Sequence, residues 1–202
     1  YRERDGHVQA LHPAEAEFGW PQWIFGMSAY GFVDDGRIAC LWERGGVQHL
    51  AILDPSSGEL IDLDVPYSAM WPDLDVEGDR LAFVGGGPSI PEQVVLLDLT
   101  ARSIEVLRSS SSVDVDESSF SIPRQIEFPT EGGLTSFAHF YPPRNREETG
   151  PADERPPLIV MSHGGPTAEA KPGFSLEMQF WTSRGFAVVD VNYGGSTGFG
   201  RG

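Results

Sequence analysis

The first half of the chain repeats itself, and the length of the repeat restricts the folds open to it. Met27 through Ile38 lies over Met70 through Leu81 at an offset of 43, matching Met27 with Met70, Arg37 with Arg80 and Ala39 with Ala82. Further along, Leu53-Asp54 matches Leu97-Asp98 and Leu60 matches Ile104, now at an offset of 44. Each unit offers short β runs, in the first Arg37 to Trp42, His49 to Leu53 and Leu60 to Leu63. Asp-Gly, Gly-Gly and Pro-Ser-Ser-Gly turns separate them. A repeat of about 40–45 residues holding about four short strands is the pattern of a β-propeller blade. A β-sandwich also turns at short intervals, but it does not call for self-similarity at this period. Two blades without neighbours should leave apolar sheet faces uncovered.

The second half follows a different grammar. Ser109-Ser110-Ser111-Ser112 and the acids up to Asp116 read as a linker. Ser118 to Pro142 reads as β structure, with Arg124 to Phe128, a Glu131-Gly132-Gly133 turn and then Leu134 to Tyr141. Polar Arg144 to Arg155, bracketed by proline pairs, is an exposed connection. Leu158 to Met161 is then a nearly continuous apolar run, as for a parallel strand buried on both faces. Phe174 to Arg184 has helical spacing, Gly185 stands where a helix ends, and Phe186 to Val191 is the next buried strand. Strand, helix and strand in that order predict a right-handed crossover in a parallel sheet. The expected fold class is β-propeller blades over residues 1–117, followed by the N-terminal part of an α/β-hydrolase domain over residues 118–202.

His163-Gly164-Gly165-Pro166 directly follows the first of those buried strands. Paired glycines let the backbone turn sharply and bring bare N–H groups close to a reacting oxygen. At the end of the second strand comes Asn192-Tyr193-Gly194-Gly195-Ser196-Thr197-Gly198-Phe199-Gly200-Arg201. Together the two motifs resemble the prolyl oligopeptidase family of serine peptidases, most closely its acylaminoacyl-peptidase and dipeptidyl-aminopeptidase branch. The resemblance implies a peptidase that cuts short peptides or removes N-terminal residues by Ser-His-Asp acyl transfer. It implies an oxyanion loop at His163-Gly164-Gly165, with the Gly165 N–H as the first candidate donor and Gly164 the second. His163 is expected to shape the loop, because the triad histidine of that family comes near the C-terminus. The nucleophile elbow is likewise expected beyond Gly202. Ser162 and Ser196 are not read as substitutes, since neither is read as a glycine-flanked turn from a strand into a helix with a glycine at both ±2 positions. The 202-residue chain should then be inert by itself. Gly194 departs from the family, which usually carries an arginine there, so no salt bridge is carried over to it.

Other readings stay open beside this one. A tight strand-to-helix turn with no catalytic role would also use two glycines. The loop after Asn192 lacks the Gly-Lys-Ser/Thr ending of a phosphate-binding loop, which argues against a nucleotide. A hydrolase of amide or ester bonds in small molecules, or a non-catalytic propeller-containing binding protein, would share much of the sequence.

Composition narrows the partners. Thirty acids against fourteen bases give a net charge of −16, and Lys171 is the only lysine. Such a chain repels phosphate backbones and anionic membranes, so neither nucleic acid nor a membrane is an expected partner. Short peptides or small aminoacyl substrates are, and a homo-oligomer is open. Cys40 is the single cysteine and sits in a strand-like run, which fits a small core residue and a cytoplasmic location. No window approaches a membrane span. Tyr1-Arg2-Glu3-Arg4-Asp5 carries neither an initiator methionine nor a signal-peptide pattern and reads as a cut in a longer protein. His7, His12, His49 and His139 lack ligand spacing, so no metal and no cofactor is expected. Phe18, Trp20, Trp23 and Phe25 cluster in sequence. Trp20 and Trp23 are the candidates to line a substrate chamber, with core packing as the alternative.

Overall fold

The computed structural model describes residues 1–20, 24–112, 117–165 and 167–199. An N-terminal hairpin, β1 (Arg2–Arg4) and β2 (His7–Gln9), turns on Asp5-Gly6, both at positive φ. The first repeat follows as an antiparallel meander of β3 (Tyr30–Phe32), β4 (Ile38–Arg44), β5 (Val47–Leu53) and β6 (Leu60–Asp62). The second repeat contains β7 (Ala69–Met70), β8 (Asp75–Glu77), β9 (Arg80–Gly87), β10 (Ile90–Asp98) and β11 (Ser103–Ser109). Both β7 and β8 pair with β9, and the sheet then runs antiparallel through β10 to β11.

Matched residues hold matched places. Ile38 pairs with Leu53 as Leu81 pairs with Leu97, and Leu53 with Leu60 as Leu97 with Ile104. The step in offset from 43 to 44 also has a physical cause. Pairing of β4 with β5 keeps one register from Arg44↔Val47 to Ile38↔Leu53, whereas pairing of β9 with β10 shifts between Ile90 and Gln93. The one extra residue is a β-bulge, and Pro91, which has no N–H for a ladder, lies within it.

The two meanders are separate sheets that share a core. Ala39, Leu41, Leu50 and Ile52 meet Leu81, Phe83, Val95 and Leu97, with Met70 and Leu74 among them. The other face of the first sheet, through Ile38, Cys40, Ala51 and Leu53, packs under Leu11 and Phe18. Burial there pushes the Cys40 thiol up to about 12. Among the described residues the second sheet packs into the shared core through one face only, and β11 is exposed along its length, with Val106 46% and Leu107 53% accessible.

A third sheet has the order β12 (Arg124–Pro129), β13 (Thr135–Tyr141), β15 (Ala187–Asn192) and β14 (Leu158–Ser162). Pairing of β14 with β15 is parallel, with Leu158 opposite Ala187, and the other pairings are antiparallel. The crossover helix α1 spans Leu176–Thr182, shorter than the expected Phe174 to Arg184. Ser175 caps it by accepting the Met178 N–H, which leaves Phe174 outside the helix to pack edge-on against Phe120. At the other end Gly185 adopts φ 87°, Phe186 N–H reaches Trp181 O and Gly185 N–H reaches Thr182 O, a Schellman motif. Cover on both faces of the sheet is not found among the described residues. Ile159 and Met161 pack with Met178 and Trp181 of α1, but Leu158 and Val160 on the opposite face are 54% and 66% exposed.

The tip of the β4–β5 hairpin seats against the third sheet. Gln125 Nε2 donates to Gly45 O at 2.5 Å, and Phe199, stacked on Phe137 at 4.6 Å, fills the space where a Cβ on Gly46 would go. Gly45 and Gly46 both have positive φ, as a two-residue hairpin turn demands. Most of the protein is therefore β-sheet, with little helix.

Candidate active site

His163, Gly164 and Gly165 leave β14 at its C-terminal end and turn over the chain that leaves β15 beside it. Tyr193 fastens the turn. Its ring stacks on the His163 imidazole with centroids 4.4 Å apart, and its hydroxyl donates to Gly165 O at 2.5 Å, with His163 O at 3.3 Å. A trans peptide places N–H opposite C=O. With the His163 carbonyl turned toward Tyr193, the Gly164 N–H points away from it. The Gly164 carbonyl lies 3.4 Å from His163 Nδ1, so the Gly165 N–H points away from that ring. Among the described residues neither N–H meets an acceptor, and both glycines are exposed. Gly165 takes φ 71°, a conformation that excludes most side chains, and a Cβ there would meet nothing within 4 Å. The arrangement offers two bare donors on a pinned loop.

Below the turn the two loops are laced together. Thr197 N–H donates to Ala168 O at 3.1 Å, and Asn192 grips Ala170 from both sides, accepting its N–H at 2.8 Å and donating to its carbonyl at 3.1 Å. Asn192 is 2% exposed, and His139 Nε2 lies 3.1 Å from the same carbonyl. Burial lowers the His139 pKa, against the pull of that carbonyl and of Glu169.

Ser196 corrects one expectation. Glycines do stand two residues to either side of it, Gly194 and Gly198, so the spacing of a nucleophile elbow is present in the sequence. Its Oγ also lies 2.7 Å from His163 Nε2, the contact expected of a serine and its base. The rest of the geometry points elsewhere. The Ser196 hydroxyl donates its one proton to Tyr193 O at 2.8 Å, so His163 Nε2 must carry a proton to complete the pair and cannot accept another. Ser196 is 6% exposed, and no helix follows it among the described residues. Serine and histidine thus hold the loop's shape. Ser162, at the end of β14, has no such contact with a base among the described residues.

The aromatic cluster does not stay together. Phe18 packs in the first sheet's outer core, stacked near Trp42, whereas Phe25 is 95% exposed. Trp20 borders a cavity of about 400 Å³, shared with Met27, Trp71, Phe174, Glu169 and Lys171. Its indole Nε1 is buried without a partner among the described residues, and Lys171 Nζ sits 5.9 Å over its ring. Trp23 lies outside the described residues. The cavity lies between the meanders and the loop that continues from Gly165, which places Trp20 beside that loop rather than at the two bare N–H groups. Sequence reasoning missed Glu169, which lines the cavity, and Glu43, which meets it beside Gly198, because neither stands in a motif.

No protein-family model matches the chain. A solved structure of a Mycobacterium tuberculosis puromycin-hydrolysing peptidase matches with a TM-score of 0.94 at 39% identity, covering 98% of this chain and 31% of that one. The acylamino-acid-releasing enzyme of Sus scrofa is 30% identical over 164 residues, 76% of this chain and 22% of the relative. Dipeptidyl aminopeptidase BIII of Pseudoxanthomonas mexicana is 36% identical over 78 residues, 38% of this chain and 11% of the relative. The chain spans about a third or less of the length of these proteins.

Proposed function

The chain belongs with the prolyl oligopeptidase family, and from that premise we propose that it is part of a serine peptidase acting on short peptides or on N-terminal aminoacyl and acylaminoacyl bonds. In this reading the two meanders are propeller blades, residues 118–202 open an α/β-hydrolase domain, and the serine linker near residue 117 joins them. The nucleophile, its histidine and its aspartate come from protein outside these residues. When the serine adds to a substrate carbonyl, the oxygen gains negative charge. Gly165 N–H, with Gly164 as the neighbouring donor, stabilises that charge from a loop whose shape is set before the substrate arrives. A donor fixed this way is worth about 3–4 kcal/mol in the transition state. His163 and Tyr193 position the donors and transfer no proton.

The observation that carries this is the pinned turn itself, with two exposed N–H groups left bare at the end of a parallel strand. A second reading, hydrolysis of amide bonds in small molecules, is favoured by the neighbour named for hydrolysing puromycin. Fluorophosphonate labelling of the 202-residue chain tests the division of labour, since Ser196 lies 2.7 Å from a histidine ring nitrogen. No labelling is expected. Labelling at Ser196 would place the nucleophile in this chain and overturn the assignment. Comparing kcat/KM for short peptides and for puromycin in the longer protein then separates the two substrate classes.

A further inference from the structure

Glu43, near the end of β4, is 2% exposed, and its hydrogen bonds dictate which oxygen does what. Met70 N–H can only donate and lies 2.5 Å from Gln48 Oε1, so the Gln48 carbonyl oxygen faces Met70. The Gln48 amide Nε2 then faces Glu43 Oε2 at 3.0 Å and donates to it. Glu43 Oε2 is therefore an acceptor. Oε1 is sealed from solvent and has no donor among the described residues. What faces it is a second acid, Glu169, whose side chain is 6% exposed and whose Oε1 takes Lys171 Nζ at 3.1 Å. The remaining oxygens of the two acids converge beside Gly198, where a Cβ would overlap Glu43 Oε1 and lie 3.1 Å from Glu169 Oε2. Two ionised carboxylates cannot share so dry a place without repulsion. One proton between them turns the repulsion into a hydrogen bond and supplies the donor that Oε1 lacks.

We propose that Glu43 keeps a proton on Oε1 at neutral pH and donates it to Glu169, so that the two acids form a proton-dependent clasp between the first meander and the loop that continues from Gly165. The network then reads Gln48 to Glu43, neutral Glu43 to ionised Glu169, and Glu169 to Lys171, with every oxygen satisfied. Other polar and charged groups face the clasp from the elements around it. Glu17, whose backbone pairs with Glu43, accepts the Gly198 N–H at 3.1 Å, and His139 on β13 is within electrostatic reach of Glu169. Burial, then the hydrogen bond and charge of Glu169, push the Glu43 carboxyl up to about 8 against the pull of Gln48 and Lys171. Loss of the proton sets two anions against each other four residues beyond Gly165, and the seam between sheet and loop loosens.

The clasp is independent of any catalytic role for the loop, so its test needs no activity. The wild-type chain, labelled with ¹³C at glutamate carboxyls, is titrated by NMR. One carboxyl should titrate near pH 8, well above the others, and that signal should vanish in Glu43→Gln. If every glutamate of the folded wild-type chain titrates in the ordinary carboxylate range, the clasp does not exist. Thermal unfolding gives a second readout. Folding takes up a proton at Glu43, so the wild-type Tm should fall as pH rises from about 5 to about 8. Glu43→Gln mimics the neutral acid, its carbonyl toward Gln48 and its amide N–H toward Glu169. It should flatten the fall and raise Tm at pH 8. A folded Glu43→Gln chain that keeps the full pH dependence would overturn the proposal.

Discussion

Gly165 and Gly198 share a backbone conformation and differ in everything around it. Both have positive φ, 71° and 90°. Around Gly165 a Cβ would find open space, whereas at Gly198 it would overlap Glu43 Oε1 and press on Glu169. The first glycine is required by the turn alone, on a surface left free for something else to approach. The second is required by the turn and by the two acids, at a seam where three parts of the chain close on one another. The contrast teaches where a substitution shows itself. At the seam it should cost folding. At the open turn it should cost little stability, and any larger loss belongs to function.

The largest effect is expected at the seam. Gly198→Ala places a side chain in left-handed backbone, about 1–2 kcal/mol, and displaces a buried carboxyl, about 1–3 kcal/mol more. Denaturant unfolding should report a loss of about 2–5 kcal/mol. The cause can be isolated with a double-mutant cycle. In a Glu43→Ala background the contact is gone, so Gly198→Ala should then cost only its backbone share. An unchanged cost in that background would show that Glu43 is not what excludes the side chain.

Asn192 comes next, since it holds the loop at the point where it leaves the open turn for the seam. Asn192→Ala leaves the buried Ala170 N–H unpaired, at about 1–3 kcal/mol before relaxation, and takes one of two donors from the Ala170 carbonyl, which keeps His139 Nε2 at 3.1 Å. A loss of about 1–3 kcal/mol is expected, together with faster hydrogen exchange at residues 168–170. Full stability in the variant would mean that water replaces the amide. In that case the open turn is less dependent on its base than the geometry indicates.

The parts legible in the sequence are those that repeat or follow a local rule. The meanders could be read because matched residues occupy matched registers, and even the bulge in β10 left its mark as a one-residue step in the offset. The crossover could be read because both parallel strands are apolar runs and the helix between them ends on a glycine. The His163-Gly164-Gly165 turn could be read as a turn, but its fastening by Tyr193, thirty residues away, could not. A side chain that bonds a distant backbone leaves no period to detect. Glu43 reads as an ordinary polar residue at a strand end, and it is buried by Gly198 and the loop around it from the far end of the chain. Ser196 shows the opposite failure, since its letters fit a nucleophile motif and its hydrogen bonds do not.

The smallest change in stability, and the sharpest test of the contrast, is expected from Gly165→Ala. The new methyl group meets no described atom, so the cost reduces to left-handed backbone, about 1–2 kcal/mol, and the chain should remain folded. Alanine in such a turn relaxes φ toward its own preference, which rotates the Gly164–Gly165 peptide and its N–H away from the direction that the His163 and Tyr193 contacts impose. In the peptidase proposed above, a misdirected donor should lower kcat by up to about 10²–10³, with KM little changed, because the oxyanion exists only in the transition state. Tyr193→Phe should reproduce part of that loss by freeing the Gly165 carbonyl while leaving every N–H in place. If both variants fold and both retain wild-type kcat, the open turn is a strand-to-loop connection and nothing more. If Gly165→Ala instead loses as much stability as Gly198→Ala, Gly165 is not open in the folded protein and the contrast between the two glycines fails.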